Sequence, residues 1–228
     1  MKKSIKFYNE KYHFEEDFHI GIDNKRIAKY FTDIEFKKNQ KYLDIGCGVG
    51  WSLKYCINKG TIPFGVDISI RSLELTKRIL NFNPYLVLAD GQSLPFISES
   101  FDLVSALGTL EHFDSPKKGL EEINRVIKKN GQVIIVVPNS YGILNKLGLY
   151  KGTEQEQEMM ATITEWVRYI QHSGFEIHSI KKDIGPRVLK NKNLFGIIKR
   201  FLLKITVFLP TAFAYCFIFS IKKQTDKH

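Results

Sequence analysis

The sequence predicts an α/β domain built on an open, mostly parallel sheet with helices on both faces, and three observations predict it. Short β-rich apolar runs alternate with stretches of helical period along most of the chain. The length of 228 residues suits one α/β domain, and a composition of 43% hydrophobic and 25% charged residues is that of a folded chain. The first β run ends in LDIGCGVG (residues 43–50), with glycine at alternate positions and an aspartate two places before the first. Such a turn, between a strand and a helix, lies at the carboxyl end of a strand, where open parallel sheets bind ligands.

The elements follow in order. The first 40 residues read as one or two helices, with Ile22, Ile27, Tyr30, Phe31 and Ile34 loosely periodic. Strands are expected at Lys41–Gly46, Ile62–Ile68, Tyr85–Ala89, Phe101–Leu107, Gln132–Pro138 and Phe175–Ile180, with a seventh near Phe213–Ile221. Helices are expected at Trp51–Asn58, Ile70–Phe82, Pro116–Lys129 and Thr162–Ser173. The third of these shows its period well. Leu120, Ile123, Val126 and Ile127 share one face, Ser115 and Pro116 form its start, and Asn130-Gly131 its stop. With no internal repeat and no obvious linker, residues 1–228 read as one domain.

Charge is unevenly placed. Residues 181–228 carry eleven Lys or Arg against Asp183 and Asp226, which is most of the net charge of +10. A solvated lysine-rich surface and a surface for an anionic partner are the two readings this leaves open. The cysteines Cys47, Cys56 and Cys216 have neither metal spacing nor a disulfide framework, so a reducing, cytoplasmic setting and no metal are expected. The N-terminus has lysines without an apolar core region, so no secretory leader is expected there.

The acids at strand ends carry the functional argument. Asp44, Asp67 and Asp90 stand at the tips of the first three strands, beside the glycine turn. Any one could be a turn or helix cap; three in register beside that turn point to a ligand cleft. A carboxylate after the second strand can accept both hydroxyls of a ribose. A dinucleotide is disfavoured, because residues 46–51 read GCGVGW and lack the G-x-G-x-x-G spacing. A phosphate loop of the GxxxxGK[ST] type is absent from the chain.

The set LDIGCGVG, GVDIS, LADGQSLPF, FDLVSALGTLEHF and INRVIKKNGQVIIVVPN resembles the class I S-adenosylmethionine-dependent methyltransferases, and within them is similar to the broad subgroup that includes quinone-biosynthesis and many small-molecule enzymes. The resemblance spans roughly residues 40–140 motif by motif and is looser through TEWVRYIQHSGFEI. It implies a Rossmann-like seven-stranded sheet with an antiparallel last strand and extra N-terminal helices. It also implies a helical lid over residues 1–40, a cofactor-binding core over 41–139, and acceptor-side elements over 140–228. S-adenosylmethionine is the implied cofactor. By the same resemblance Asp44, Gly46, Cys47 and Gly48 wrap the methionine portion, with the acid toward its ammonium. Asp67 takes the ribose, Ile68 packs on the adenine, Asp90 with Gly91 bonds the adenine amino group, and Leu107 lies near the methionine end.

Methyl transfer from a sulfonium is an in-line displacement in which the protein mainly positions and desolvates. A base is needed only where the acceptor must lose a proton, so no catalytic residue is assigned from sequence. His112 in TLEHF is read either as a substrate contact or base, or as a cap or packing group. His13, Tyr8 and Tyr12 belong to the segment that lids the cofactor in the resembled family, and His172 is read as structural at a helix end. The expected acceptor is a small or lipid-like molecule. DNA is disfavoured, since ALGTLEHF replaces the D/N-P-P-Y type motif of DNA amino-methylases and the Pro-Cys motif for cytosine C5 chemistry is missing; RNA is disfavoured less firmly. A non-catalytic S-adenosylmethionine-binding protein is the rival from another class. Residues 194–209 form a basic amphipathic stretch, read either as a helix covering the sheet or as one resting on an anionic membrane. The charge-free stretch 205–221 reads as the seventh strand, with a membrane span as its rival.

Overall fold

Strand β1 (Lys41–Ile45) sits in the middle of the sheet because both its faces are apolar: Tyr42 and Leu43 are fully buried and Ile45 nearly so. Residues 2–11, 24–80, 84–142, 158–183, 201 and 208–224 are described by the computed structural model. The strands beside β1 are β2 (Ile62–Asp67), β3 (Tyr85–Leu88), β4 (Phe101–Leu107), β5 (Ile127–Pro138), β6 (Phe175–Asp183) and β7 (Cys216–Lys223). They form one seven-stranded sheet in the order β3-β2-β1-β4-β5-β7-β6. The pairings from β3 to β5 are parallel, and β7 runs antiparallel to both its neighbours. The strand order reverses between β1 and β4, which opens a crevice at their carboxyl ends.

Helices cover both faces. On one face α5 (Pro116–Val126) and α6 (Ile163–His172) press Leu120, Ile123, Trp166 and Ile170 onto Leu43, Val104 and Val133. On the other, α2 (Asn24–Tyr30), α3 (Trp51–Ile57) and α4 (Ile70–Ile79) bury Ile27, Leu53 and Leu73 against Tyr42, Leu103 and Ile134. Strand alternation sorts these sets: Leu43 and Ile45 face α5, while Tyr42 and Asp44 face α3. Helix α1 (Lys2–Lys11) packs against α4.

The expected helix over 116–129 stops at Val126, because Ile127 turns extended (φ −75°, ψ 139°) and pairs with Phe101. Gly131 folds back on Ile127, where a Cβ would come within 2.5 Å of its Cδ1, so the intervening residues loop out before Gln132 rejoins the ladder at Leu103. The start residues of α5 work as expected, with Ser115 accepting from Lys118 N–H, whereas Asn130-Gly131 lies within β5 and does not stop the helix; in α6 Thr162 and Glu165 form a capping box. The charge-free stretch ends in β7, an inner strand hydrogen-bonded on both sides, which is why it carries no charge from Cys216 to Ile221. Among the described residues no helix is long and apolar enough to cross a membrane. The amphipathic stretch 194–209, apart from Phe201, Phe208 and Leu209, lies outside the described residues, as do Ile22, His13 and Tyr12.

Helix α2 is anchored to the carboxyl edge of the sheet. Arg26 donates from Nε (3.0 Å) and Nη2 (2.6 Å) to Asp183 Oδ2 at the end of β6, and Tyr30 Oη adds a third donor at 3.1 Å. The Asp183 side chain is only 1% exposed. Arg26→Met keeps the stem but removes the guanidinium, so it should destabilise the protein by about 3 kcal/mol, read from urea-unfolding midpoints. A loss under 1 kcal/mol would show that the tyrosine suffices.

Candidate functional site

The cleft at the switch point is built from four strand ends. Gly46 begins the turn after β1 with φ +69°, and a Cβ there would come within 2.5 Å of the Thr109 side chain, so only glycine fits both the conformation and the space. The N–H groups of Gly46 and Cys47 both donate to Val66 O, at 2.8 and 3.0 Å, which bends the turn over the tip of β2. Gly48 N–H then donates to Asp67 Oδ2 (2.9 Å), while Ser69 N–H donates to Asp67 Oδ1 (2.9 Å). The Gly48 carbonyl accepts from Thr76 Oγ1 (2.7 Å) and Ser72 Oγ (3.2 Å) of α4.

After β3, Asp90 Oδ1 accepts from Gln92 N–H (2.9 Å) and from its side-chain amide (3.2 Å), and Gln92 Oε1 accepts from Ser115 N–H (2.8 Å). The loop is fixed further by Arg125, which donates to Phe96 O (2.6 Å) and Leu94 O (3.0 Å). Gly91 leaves room for Phe113: a Cβ would stand 2.5 Å from its Cζ. After β4, Gly108 turns with φ +72° into a short 3-10 turn, Leu110–His112. These pieces line one open cleft, about 720 Å³ with the solvent at its mouth included.

Of the residues singled out from sequence, Gly46, Asp67, Ile68, Asp90 and Gly91 line this cleft, and so do Tyr8 of α1 and His112. Asp44, Cys47, Gly48 and Leu107 stand off its wall. Gly48 acts one layer back through its bond to Asp67, and Cys47 and Leu107 pack in the apolar cluster on the α3 side. Asp44 shares the Tyr42 face, so its carboxylate accepts from Ser52 of α3 and Ser105 of β4 and is 3% exposed. His172 ends α6, exposed and away from the cleft. Gln92, Thr109, Phe113 and Asp114 also line the cleft and were not singled out. The position of Gln92 two residues after Asp90 was the available signal for it; the others sit in GTLEHFD, where the sequence marked only His112.

Burial dominates the electrostatics here. It raises the Asp67 carboxyl above the usual range, against the backbone N–H donors that hold its charge. Burial likewise lifts Asp44 to about 6, with the hydroxyls of Ser105 and Ser52 opposing. The described lining holds Asp67, Asp90 and Asp114 and neither Lys nor Arg.

The comparisons agree with this geometry. Residues 43–135 match the family described as methyltransferase domain. The uncharacterized protein MJ1252 of Methanocaldococcus jannaschii is 39% identical over 110 residues, 48% of this chain and 41% of that one. Tocopherol O-methyltransferase of Arabidopsis thaliana is 31% identical over 130 residues, 54% of this chain and 37% of that protein. Other curated relatives carry names from quinone, sterol and tRNA methylation. An S-adenosylmethionine-dependent methyltransferase structure from Clostridium acetobutylicum superposes with a TM-score of 0.66 at 17% identity, over 96% of this chain and 99% of that one. The chain spans about half the length of the curated relatives it matches. The match over residues 43–135 and the shared fold support a class I S-adenosylmethionine-dependent methyltransferase, and S-adenosylmethionine is the cofactor that family and fold imply.

The residues present fit that molecule. Each Asp67 oxygen already accepts one N–H and keeps a second lone pair, which is what two ribose hydroxyls require. An acidic wall complements a sulfonium and needs no phosphate-binding cation.

The Asp44 carboxyl gives a pH test. Its proton is held to about pH 6 in the folded state, against about 3.8 unfolded, so the native state binds more protons across that window and stability falls as pH rises through it. Relative to Asp44→Asn, the wild type should lose on the order of 3 kcal/mol between pH 4 and 7, read from denaturant melts of both proteins. A difference that stays constant with pH would place the charge elsewhere.

Proposed function

We propose that the protein transfers a methyl group from S-adenosylmethionine to a small-molecule acceptor. The observation that carries this is one cleft in which the glycine turn after β1, Asp67 after β2 and Asp90 after β3 meet. In this reading Asp67 takes the ribose hydroxyls, Asp90 takes the adenine amino group, and the turn at Gly46 leaves the backbone open to the methionine portion. The cofactor, when bound, supplies an activated methyl on its sulfonium. The protein positions the acceptor in line with it and excludes water.

The charge of the lining supports a small molecule over RNA. Tyr8 and His112 both line the cleft, with their rings 6.4 Å apart, edge to face. Three carboxylates without a lining cation disfavour a phosphate backbone. The relatives named for quinone, sterol and tocopherol methylation support the same choice.

Calorimetry should show S-adenosylmethionine binding, and product assays on phenols, quinols and lipid precursors should show S-adenosylhomocysteine release with at least one of them. Binding without turnover on any acceptor would favour a non-catalytic binding protein. Asp67→Ala should weaken cofactor affinity by ~1–3 kcal/mol by leaving the ribose diol unpaired, and an unchanged dissociation constant would remove Asp67 from the site.

A further inference from the structure

Glu111 carries a buried carboxyl that is only partly engaged, by its own backbone N–H. It lies in the 3-10 turn after β4 and is 5% exposed, and its Oε2 has no hydrogen-bond partner among the described residues. Most buried carboxylates in this chain are engaged: Asp44 by two hydroxyls, Asp67 by two backbone N–H groups, Asp183 by a guanidinium. A buried acid left partly unpaired is costly unless it has a use.

Its surroundings point to one. Oε1 lies 3.8 Å from Nε2 of His112, whose ring lines the cleft. The same oxygen lies beside Gly108 on the cleft floor, where a Cβ would come within 3.6 Å of it. Among the described residues, Glu158 and, on β7, Cys216 face Glu111, and neither supplies a positive charge. Tyr8 faces His112 from α1.

We propose that Glu111 and His112 form a proton-accepting pair, and that the methyl acceptor is a weakly acidic hydroxyl of the phenol or hydroquinone class. This rests on the methyl-transfer reading above. As the acceptor oxygen bonds to the methyl carbon, the carbon–sulfur bond breaks and its electron pair stays on sulfur. The O–H bond breaks with its pair staying on oxygen, and the proton passes to the His112 imidazole. Glu111, behind it, takes up the positive charge or the proton and releases it to solvent. His112 is the catalytic residue and Glu111 the positioning residue. Contacts of this kind shorten from their unliganded spacing once substrate is bound.

Burial first, and the charge of Glu158 after it, push the Glu111 carboxyl up to about 8. An imidazole backed by a carboxylate can take the proton of a phenolic hydroxyl near 10 far more readily than that of an aliphatic alcohol, which is why the phenol class is chosen. As pH rises through that value the carboxylate form appears, so transfer to a neutral phenol should speed up.

The test uses the full chain with S-adenosylmethionine and two probes: 4-methylphenol, neutral at pH 7, and 4-nitrophenol, largely ionised at pH 8. For 4-methylphenol, wild-type kcat/KM should rise with pH and level off above about 8. Glu111→Gln should remove that inflection and lower the rate ~100-fold, while 4-nitrophenol changes less than about threefold and calorimetric cofactor affinity is unchanged. His112→Gln should show the same selectivity, which keeps the test open should Glu111→Gln fold poorly. Equal losses on both phenols, a surviving inflection, or a cofactor-binding parent that methylates neither phenol would overturn the proposal. A parent that does not bind the cofactor would instead sink the methyl-transfer reading beneath it.

Discussion

The hydrogen bond from Gly48 N–H to Asp67 Oδ2 joins the turn after β1 to the tip of β2, and the cleft is organised around it. Parallel neighbours cannot be joined by a tight hairpin, so β1 and β2 are linked through α3 and their tips need a direct tie. Gly48 supplies it from both backbone groups: its N–H holds the β2 carboxylate and its carbonyl receives the α4 hydroxyls of Ser72 and Thr76. The left-handed turn at Gly48 (φ +53°) aims the two groups at different elements. One peptide segment thereby sets the distance between the bare turn at Gly46 and the acid that faces it across the cleft.

The strands and their turns were legible because their signals are local: a β-rich run, a glycine turn, an acid, a cap. Which strand-tip acid faces the cleft was harder, since a tip position says nothing of the side. Alternation decides it. Leu43 and Ile45 belong to the α5 face, so Asp44 is carried to the α3 face with Tyr42, under Ser52. That phase could have been read from the apolar neighbours, but the Ser105 hydroxyl that completes the carboxylate's shell comes from 61 residues away. The early end of α5 was hidden similarly. Ile127 continues the helical period, and only its pairing with Phe101 pulls it into a strand.

Of the eleven basic residues in 181–228, Lys181, Lys182, Lys222 and Lys223 lie among the described residues. Lys181 pairs with Asp33, Lys182 Nζ donates to Leu209 O, and Lys223 approaches Glu99 at 3.7 Å. Lys222 stands with Lys37, Lys38, Lys128 and Lys129 around a groove that also holds Glu35, Glu99 and Asp102, at the amino-terminal edge of β1 and β4. These cations are therefore either locally engaged or across the sheet from the acidic cleft. The field of these four at the cleft is weakened by distance and screening, and the described lining is acidic, the sign a sulfonium favours.

The two halves of the crevice differ in how far along the chain their parts come from. The cofactor half is a run of consecutive strand–turn–helix units from β1 to the start of α5, each placed by its neighbours, and the family match over residues 43–135 covers that run. The other half has Tyr8 and His112 in its lining, with Glu111 beside His112, while Glu158 and the Arg26–Asp183 clamp beside Tyr215 lie outside the lining. Apart from Glu158, these residues come from α1, the turn after β4, α2, β6 and the residues just before β7, so they are brought together by pairings distant in sequence. A half built from neighbours leaves a continuous motif in the sequence, and a half built by distant pairings leaves none. The motif therefore names the methyl donor, whereas the acceptor has to be inferred from side-chain chemistry, and in this chain from one partly engaged carboxyl.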